Sequence, residues 1–326
     1  MAKARGLETK LARLRAIGKE DATPGHVAEL KSFLGDKSNL VAAEAAEIIG
    51  KRMLSNLAPD LVAAFGRFMI DPVETDTLCR AKIAIVEALN KLEYDEAEVF
   101  LTGFRHVQRE PRWGGSDDTA APLRGNSAFG LVRIRHRGVV LLLSELLADP
   151  EKIARQHAAQ ALGAVGSEAA IVLLRFKAKT GDKEPEVIGD CLTALMTAEP
   201  TESLAFVARF LDSQREGVAE GAALALAESR RLEAFEILTK HLPRVSEESL
   251  QNVILLGIAI TRQPNAVDFL LQVLAGKNEA AAAGALSALA IHKHNPTIRE
   301  RIAIVVKKQN LRVLQEGFAR SFGARH

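Results

Sequence analysis

Residues 142–166, LLSELLADPEKIARQHAAQALGAVG, decide the fold. Leu142, Leu143, Leu146 and Leu147 recur at three- and four-residue spacing, the period of one face of an α-helix. Asp149-Pro150 then ends that helix, because proline has no amide hydrogen and disfavours helical backbone in the residue before it. A second helix follows, carrying Ala158, Ala159, Ala161, Leu162 and Gly163, small residues that let a neighbouring backbone come close. One such pair cannot cover its own apolar face, so pairs must stack. Echoes of the pattern return about every 30 to 40 residues from Val27 almost to the C-terminus.

The fold class this predicts is all-α, an α-α superhelix (α-solenoid) of about nine helix pairs. Aspartates after first helices fall at Asp36, Asp71, Asp149, Asp182 and Asp212, with intervals of 35, 78, 33 and 30 residues. The 78 conceals two units and an inserted loop at 106–116. Second helices are expected at 38–50, 75–91, 117–134 and 151–164, and onward at the same period. No Gly/Ser/Pro-rich linker divides the 326 residues, so the expectation is a single elongated domain over 1–326, with caps at 1–24 and 293–326.

Composition narrows the function classes. Aromatic residues are 5% of the chain, with one Trp (Trp113) and one Tyr (Tyr94), which leaves little surface for stacking bases or sugars. Cys79 and Cys191 are far apart, so neither a disulfide framework nor a cysteine metal site is suggested. The charged N-terminus lacks the apolar core of a signal peptide, and no run approaches the roughly 20 apolar residues of a membrane span, so a soluble cytoplasmic protein is expected. Net charge is only +2, but it is uneven. Counting Lys+Arg against Asp+Glu, residues 1–100 carry 14 and 16, residues 101–140 carry 7 and 3, residues 141–292 carry 14 and 20, and residues 293–326 carry 8 and 2.

The helix-pair period and the ALGAVG segment at 161–166 resemble HEAT-like repeats, in particular the short bacterial type grouped with phycobilisome-lyase repeat proteins. The resemblance is clear around 142–166 and fair at Ala222–Ala227. It implies an Arg near the start of a second helix that pairs with the turn Asp. Arg155 fits that role with Asp149, Arg124 holds the equivalent place one repeat earlier, and Ala219 breaks the series in the sixth repeat. Some relatives of this type are bilin lyases or chaperones of chromophore attachment, and others are DNA glycosylases, so the resemblance carries those activities as alternatives.

The stretch RHVQREPRWGGSDDTAAPLRG, Arg105 to Gly125, departs from the repeat and gathers the rare residues. It holds Arg105, His106, Arg109, Arg112, Trp113, Asp117, Asp118 and Arg124. One reading is a long loop entering a capped helix, with Ser116 as cap, Asp117 and Asp118 at the positive end of the dipole, and Trp113 folded over a neighbouring repeat as a plug. The other is a binding loop, since Trp flanked by Arg is a favoured interface anchor. Arg133, Arg135, His136 and Arg137 extend the basic character. No helical His-Glu-x-x-His, paired Cys-x-x-Cys, Gly-x-Ser-x-Gly or phosphate-cradling loop occurs, so no metal, cofactor or catalytic residue is assigned.

The expected function is a non-enzymatic scaffold that binds a protein partner through its concave surface and the 105–124 loop. Glu184, Glu186, Glu216, Glu220 and Glu279 on second helices suit a basic segment of that partner. Nucleic acid is disfavoured by the acidic middle of the chain.

Overall fold

The computed structural model describes residues 2–21 and 23–323. Met1, Ala22 and 324–326, parts of the two expected caps, lie outside the described residues, as does the side chain of Glu216.

Twenty α-helices, five short 3-10 helices and one two-stranded sheet account for the regular structure among the described residues. Nine of the helices are first helices: α2 (Pro24–Leu34), α4 (Ala58–Phe68), α7 (Ala97–Arg105), α9 (Val139–Leu146), α11 (Glu168–Thr180), α13 (Pro200–Ala208), α15 (Leu232–His241), α17 (Ala266–Leu274) and α19 (Pro296–Gln309). Each is followed by a second helix: α3 (Asn39–Lys51), α6 (Arg80–Lys91), α8 (Ala121–Arg133), α10 (Lys152–Val165), α12 (Pro185–Ala198), α14 (Glu216–Glu228), α16 (Glu248–Ile260), α18 (Glu279–Leu289) and α20 (Arg312–Phe322). The remaining two are α1 (Ala2–Ile17), before the first pair, and the single turn α5 (Pro72–Thr75). The all-α class and the nine pairs of the sequence reading are those observed.

The residues group into two compact units, Met1–Ala161 and Leu162–His326. In the first, α1 packs on α3, α3 on α6 and α6 on α8, and in the second α12, α14, α16, α18 and α20 pack in succession. The small residues make this possible. A Cβ added at Gly221 of α14 would lie 2.9 Å from the Cα of Gly189 in α12, so these two helices touch backbone to backbone.

A common device turns the chain between the helices of a pair. The Asp36 carboxylate accepts the amide of Ser38 at 2.9 Å, Asp118 that of Ala120 at 3.0 Å, Asp149 that of Glu151 at 2.8 Å and Asp182 that of Glu184 at 2.9 Å. Such i to i+2 bonds satisfy amides that the coming helix leaves orphaned. Two of the five expected turn aspartates do not hold the turn. Asp71 is an exposed residue in a left-handed turn, and the capping aspartate of that repeat is Asp76, which accepts the amides of Ala81 and Lys82. Asp212 is 79% exposed in its side chain, and Ser213 takes the role by accepting the Arg215 amide at 3.2 Å. The repeat hidden in the 78-residue interval turns at Asp118.

Second helices also begin later than expected, at Arg80 rather than 75 and at Ala121 rather than 117. Before α6, Leu78 and Cys79 sit in the left-handed region, with φ of 62° and 55°. Before α8, the chain is in a strand.

Candidate functional site

The inserted segment between α7 and α8 is a β-hairpin. Strand β1 (Arg109–Arg112) pairs antiparallel with β2 (Gly115–Asp118), with Arg109 opposite Asp118 and Arg112 opposite Gly115. Trp113 and Gly114 form the two-residue turn. Gly114 has φ 84°, the left-handed conformation such a turn demands and glycine adopts at least cost. Ser116, Asp117 and Asp118 therefore lie on a strand and do not form the helix N-terminus expected from the sequence; α8 starts at Ala121 with Pro122 in its first turn. Trp113 does not plug a neighbouring repeat. It is 103% exposed at the tip.

What fixes the hairpin is a buried polar network at its base. The Arg124 guanidinium, 4% exposed, meets Asp118 at 2.8 Å, grips both oxygens of Asp149 at 2.9 and 3.0 Å, and donates to the His106 carbonyl at 3.0 Å. Burial of Arg124 is offset by these carboxylates, which hold its pKa above the ordinary value. Burial likewise pushes the Asp118 carboxyl upward, but the amides of Gln108 and Ala120 and the Arg124 guanidinium outweigh it, so Asp118 titrates low. Glu110 follows the same logic. Its burial is outweighed by the Thr119 hydroxyl at 2.7 Å, the Gln108 amide group at 2.7 Å and the Leu78 backbone amide at 2.7 Å.

Gln108 carries the network into the preceding repeat, donating to the Asp76 carbonyl at 2.8 Å. There the Lys82 ammonium, with no exposed surface, sits 3.0 Å from the equally buried Asp76 carboxylate and donates to the Phe68 carbonyl at 3.1 Å. Asn39 donates to Asp76 at 3.1 Å. The bond from Glu110 to Leu78 thus ties the hairpin to the left-handed segment that opens α6.

Of the residues singled out in the sequence, the structure brings Arg105, His106, Arg109, Arg112, Trp113, Asp117, Asp118 and Arg124 to one hairpin and its base. Arg112 pairs with Asp117 at 3.0 Å on the exposed side. Asp118 and Arg124 face inward and position the hairpin. His106 is half-buried, its imidazole 3.2 Å from the Gln108 side-chain oxygen, and burial pushes its pKa down. Arg135 is not part of this group. It follows the far end of α8, about 18 Å along the helix from Ala121 at 1.5 Å rise per residue.

Asp76, Lys82, Gln108, Glu110 and Thr119 were not anticipated. Lys82 had a signal: it stands three, four and seven residues before Ile85, Val86 and Leu89, on the buried stripe of α6. No pattern pointed to Gln108. The Arg155 expectation is met in part, since its Nη1 donates to the carbonyls of Asp149 and Pro150 at 2.8 and 2.9 Å, while the carboxylate of Asp149 is gripped by Arg124. Both cysteines are free and buried, which pushes each thiol up to about 12. No cluster of His, Cys, Asp and Glu suited to a metal occurs among the described residues.

Residues 116–181, which begin on β2 and run through α11, match the family model for HEAT repeats. That segment carries HEAT repeats. Three solved structures align over nearly all of it. A phycocyanin lyase CpcE–CpcF complex from Nostoc sp. PCC7120 is 20% identical, covering 92% of this chain and 96% of that one, with a TM-score of 0.37. An engineered protein is 17% identical, covering 96% and 94%, at 0.36. Kap121p bound to Nup53p is 16% identical, covering 91% of this chain and 41% of Kap121p, at 0.42. No curated protein matches the sequence. No helix among the described residues is long and apolar enough to cross a membrane.

Proposed function

We propose that this HEAT-repeat chain is a non-enzymatic interaction scaffold that engages a partner protein through the Trp113 hairpin, with second-helix faces adding contact area. The observation that carries this reading is a fully exposed indole on a rigidly supported turn. A large aromatic in water has a standing incentive to be covered, and Trp flanked by Arg is a common anchor of interfaces. Because Arg124, Glu110 and Gln108 fix the hairpin beforehand, little ordering entropy is lost on docking.

The lyase and glycosylase alternatives have less support. Asp118, one carboxylate that would accompany Trp113 in a base-excision site, is 3% exposed in its side chain and held by Arg124. Asp117, the other, is paired with Arg112. The test is affinity capture from native lysate with the full chain and with a Trp113→Ala, Arg112→Ala variant. The scaffold reading expects a protein that is retained by the first and lost by the second. Equal retention by both, or recovery of nucleic acid alone, would overturn it.

A further inference from the structure

The hairpin sorts its charges. Its base consumes the carboxylates: Glu110 is 7% exposed, and the Asp118 side chain 3%. Arg105 at the end of α7 and Arg109 and Arg112 on the hairpin are exposed, against a single exposed carboxylate on the hairpin, Asp117, which Arg112 already holds. Arg105 and Arg109 form no ion pair among the described residues. Two exposed apolar side chains share this segment: Val107, between Arg105 and Arg109 in sequence, at 54%, and Trp113 at the hairpin tip, at 103%.

We propose that the occupant of this hairpin is an acidic segment of a partner protein that sets an apolar side chain against Trp113 and carboxylates against Arg105 and Arg109. This rests on the docking reading above and adds the chemistry of the partner. Guanidinium groups match carboxylates in planar, two-bond geometry, and an unneutralised pair of them at the base of a hairpin tipped by an apolar anchor selects for both features in one extended segment. The contact is made by side chains and does not add a third strand. Pro111 has no amide to donate, and strands of four residues offer too short an edge. A nucleic acid strand is the poorer occupant, because one exposed indole provides a single stacking platform and residues 141–292 are net acidic, 14 Lys+Arg against 20 Asp+Glu.

Trp113 is the chain's one tryptophan, so intrinsic fluorescence reports on the hairpin tip alone. The probe is poly-L-glutamate titrated into the full chain at low ionic strength, with poly-L-lysine and oligothymidylate in parallel. The proposal expects a saturable change in Trp113 emission with poly-L-glutamate and none with poly-L-lysine. Affinity should fall about tenfold or more in an Arg105→Gln, Arg109→Gln variant, whose sites are exposed and whose unchanged unfolding transition checks the fold, and should be unchanged by Arg320→Gln near the C-terminus. Three results would overturn it: no saturable response to poly-L-glutamate, an unchanged affinity in the double variant, or a tighter response to oligothymidylate. Any of these alongside a positive capture experiment removes the acidic occupant and leaves the docking reading standing, whereas loss of capture removes the docking reading itself.

Discussion

At Asp182 and at Asp118 the chain passes from a first helix to a second with the same bond, a carboxylate oxygen accepting the amide two residues on. At Asp182 the connection is direct: α11 ends at Thr180 and α12 begins at Pro185, with Lys177 reaching the carboxylate at 2.7 Å. At Asp118 the chain first leaves the helices for a hairpin ten residues long, from Arg109 to Asp118, and needs a buried guanidinium, two glutamine bonds and a buried glutamate to hold it there. Stacking accounts for everything at the first turn and for none of the detour at the second. A feature that the repeat does not require, yet fixes with buried charges, is where function is to be sought, because each buried charge is costly unless fully partnered.

The largest effect that would break this comparison is expected at Arg124. Arg124→Ala leaves Asp118 and Asp149 as buried carboxylates without their guanidinium, and should cost about 3–5 kcal/mol of stability. Denaturant unfolding measures the loss, and hydrogen exchange should show the amides of Gln108 and Ala120 opening first. On the regular side, Gly221→Ala forces a Cβ against the backbone of Gly189 and should cost about 1–3 kcal/mol, seen as an earlier transition for α12 and α14.

Acid should loosen the hairpin in a graded way. Asp118 and Glu110 have folded pKa values below their ordinary ones, so each contributes stability that is present above the ordinary carboxylate range and lost as pH falls through the depressed folded value. Below about pH 4 the hairpin amides should lose exchange protection progressively. Glu110→Gln should shift the onset of that loss. The smallest effect belongs to Trp113→Ala, which removes a side chain that touches nothing and should change stability by no more than about 0.5 kcal/mol while abolishing partner capture.

The contrast between the turns also marks what the sequence made legible. Leucine spacing, Ala/Gly positions and Pro boundaries are local, and they placed the helix pairs and both termini of α10 to within one residue. The candidate site stands out by its departure from the repeat, through Trp113 and its arginines. Its conformation was not legible, because Gly-Gly-Ser-Asp-Asp writes a helix cap as readily as a hairpin. The choice was made by partners 32 residues away, Glu110 on Leu78 and Gln108 on Asp76, which no local pattern displays. Asp71 was mistaken for the turn aspartate for the same reason: Asp76 earns that role only through its burial against Lys82.

The most direct test of the central claim is site-specific photocrosslinking in native lysate, with benzoylphenylalanine at position 113 and, in a second protein, at position 176. Phe176 lies on α11 of the regular region and is 65% exposed, so mere apolar exposure is common to both. The account predicts a discrete protein adduct from position 113 that excess unlabelled chain competes away, and no such adduct from position 176. Equal adducts from both positions, or none from 113, would contradict it.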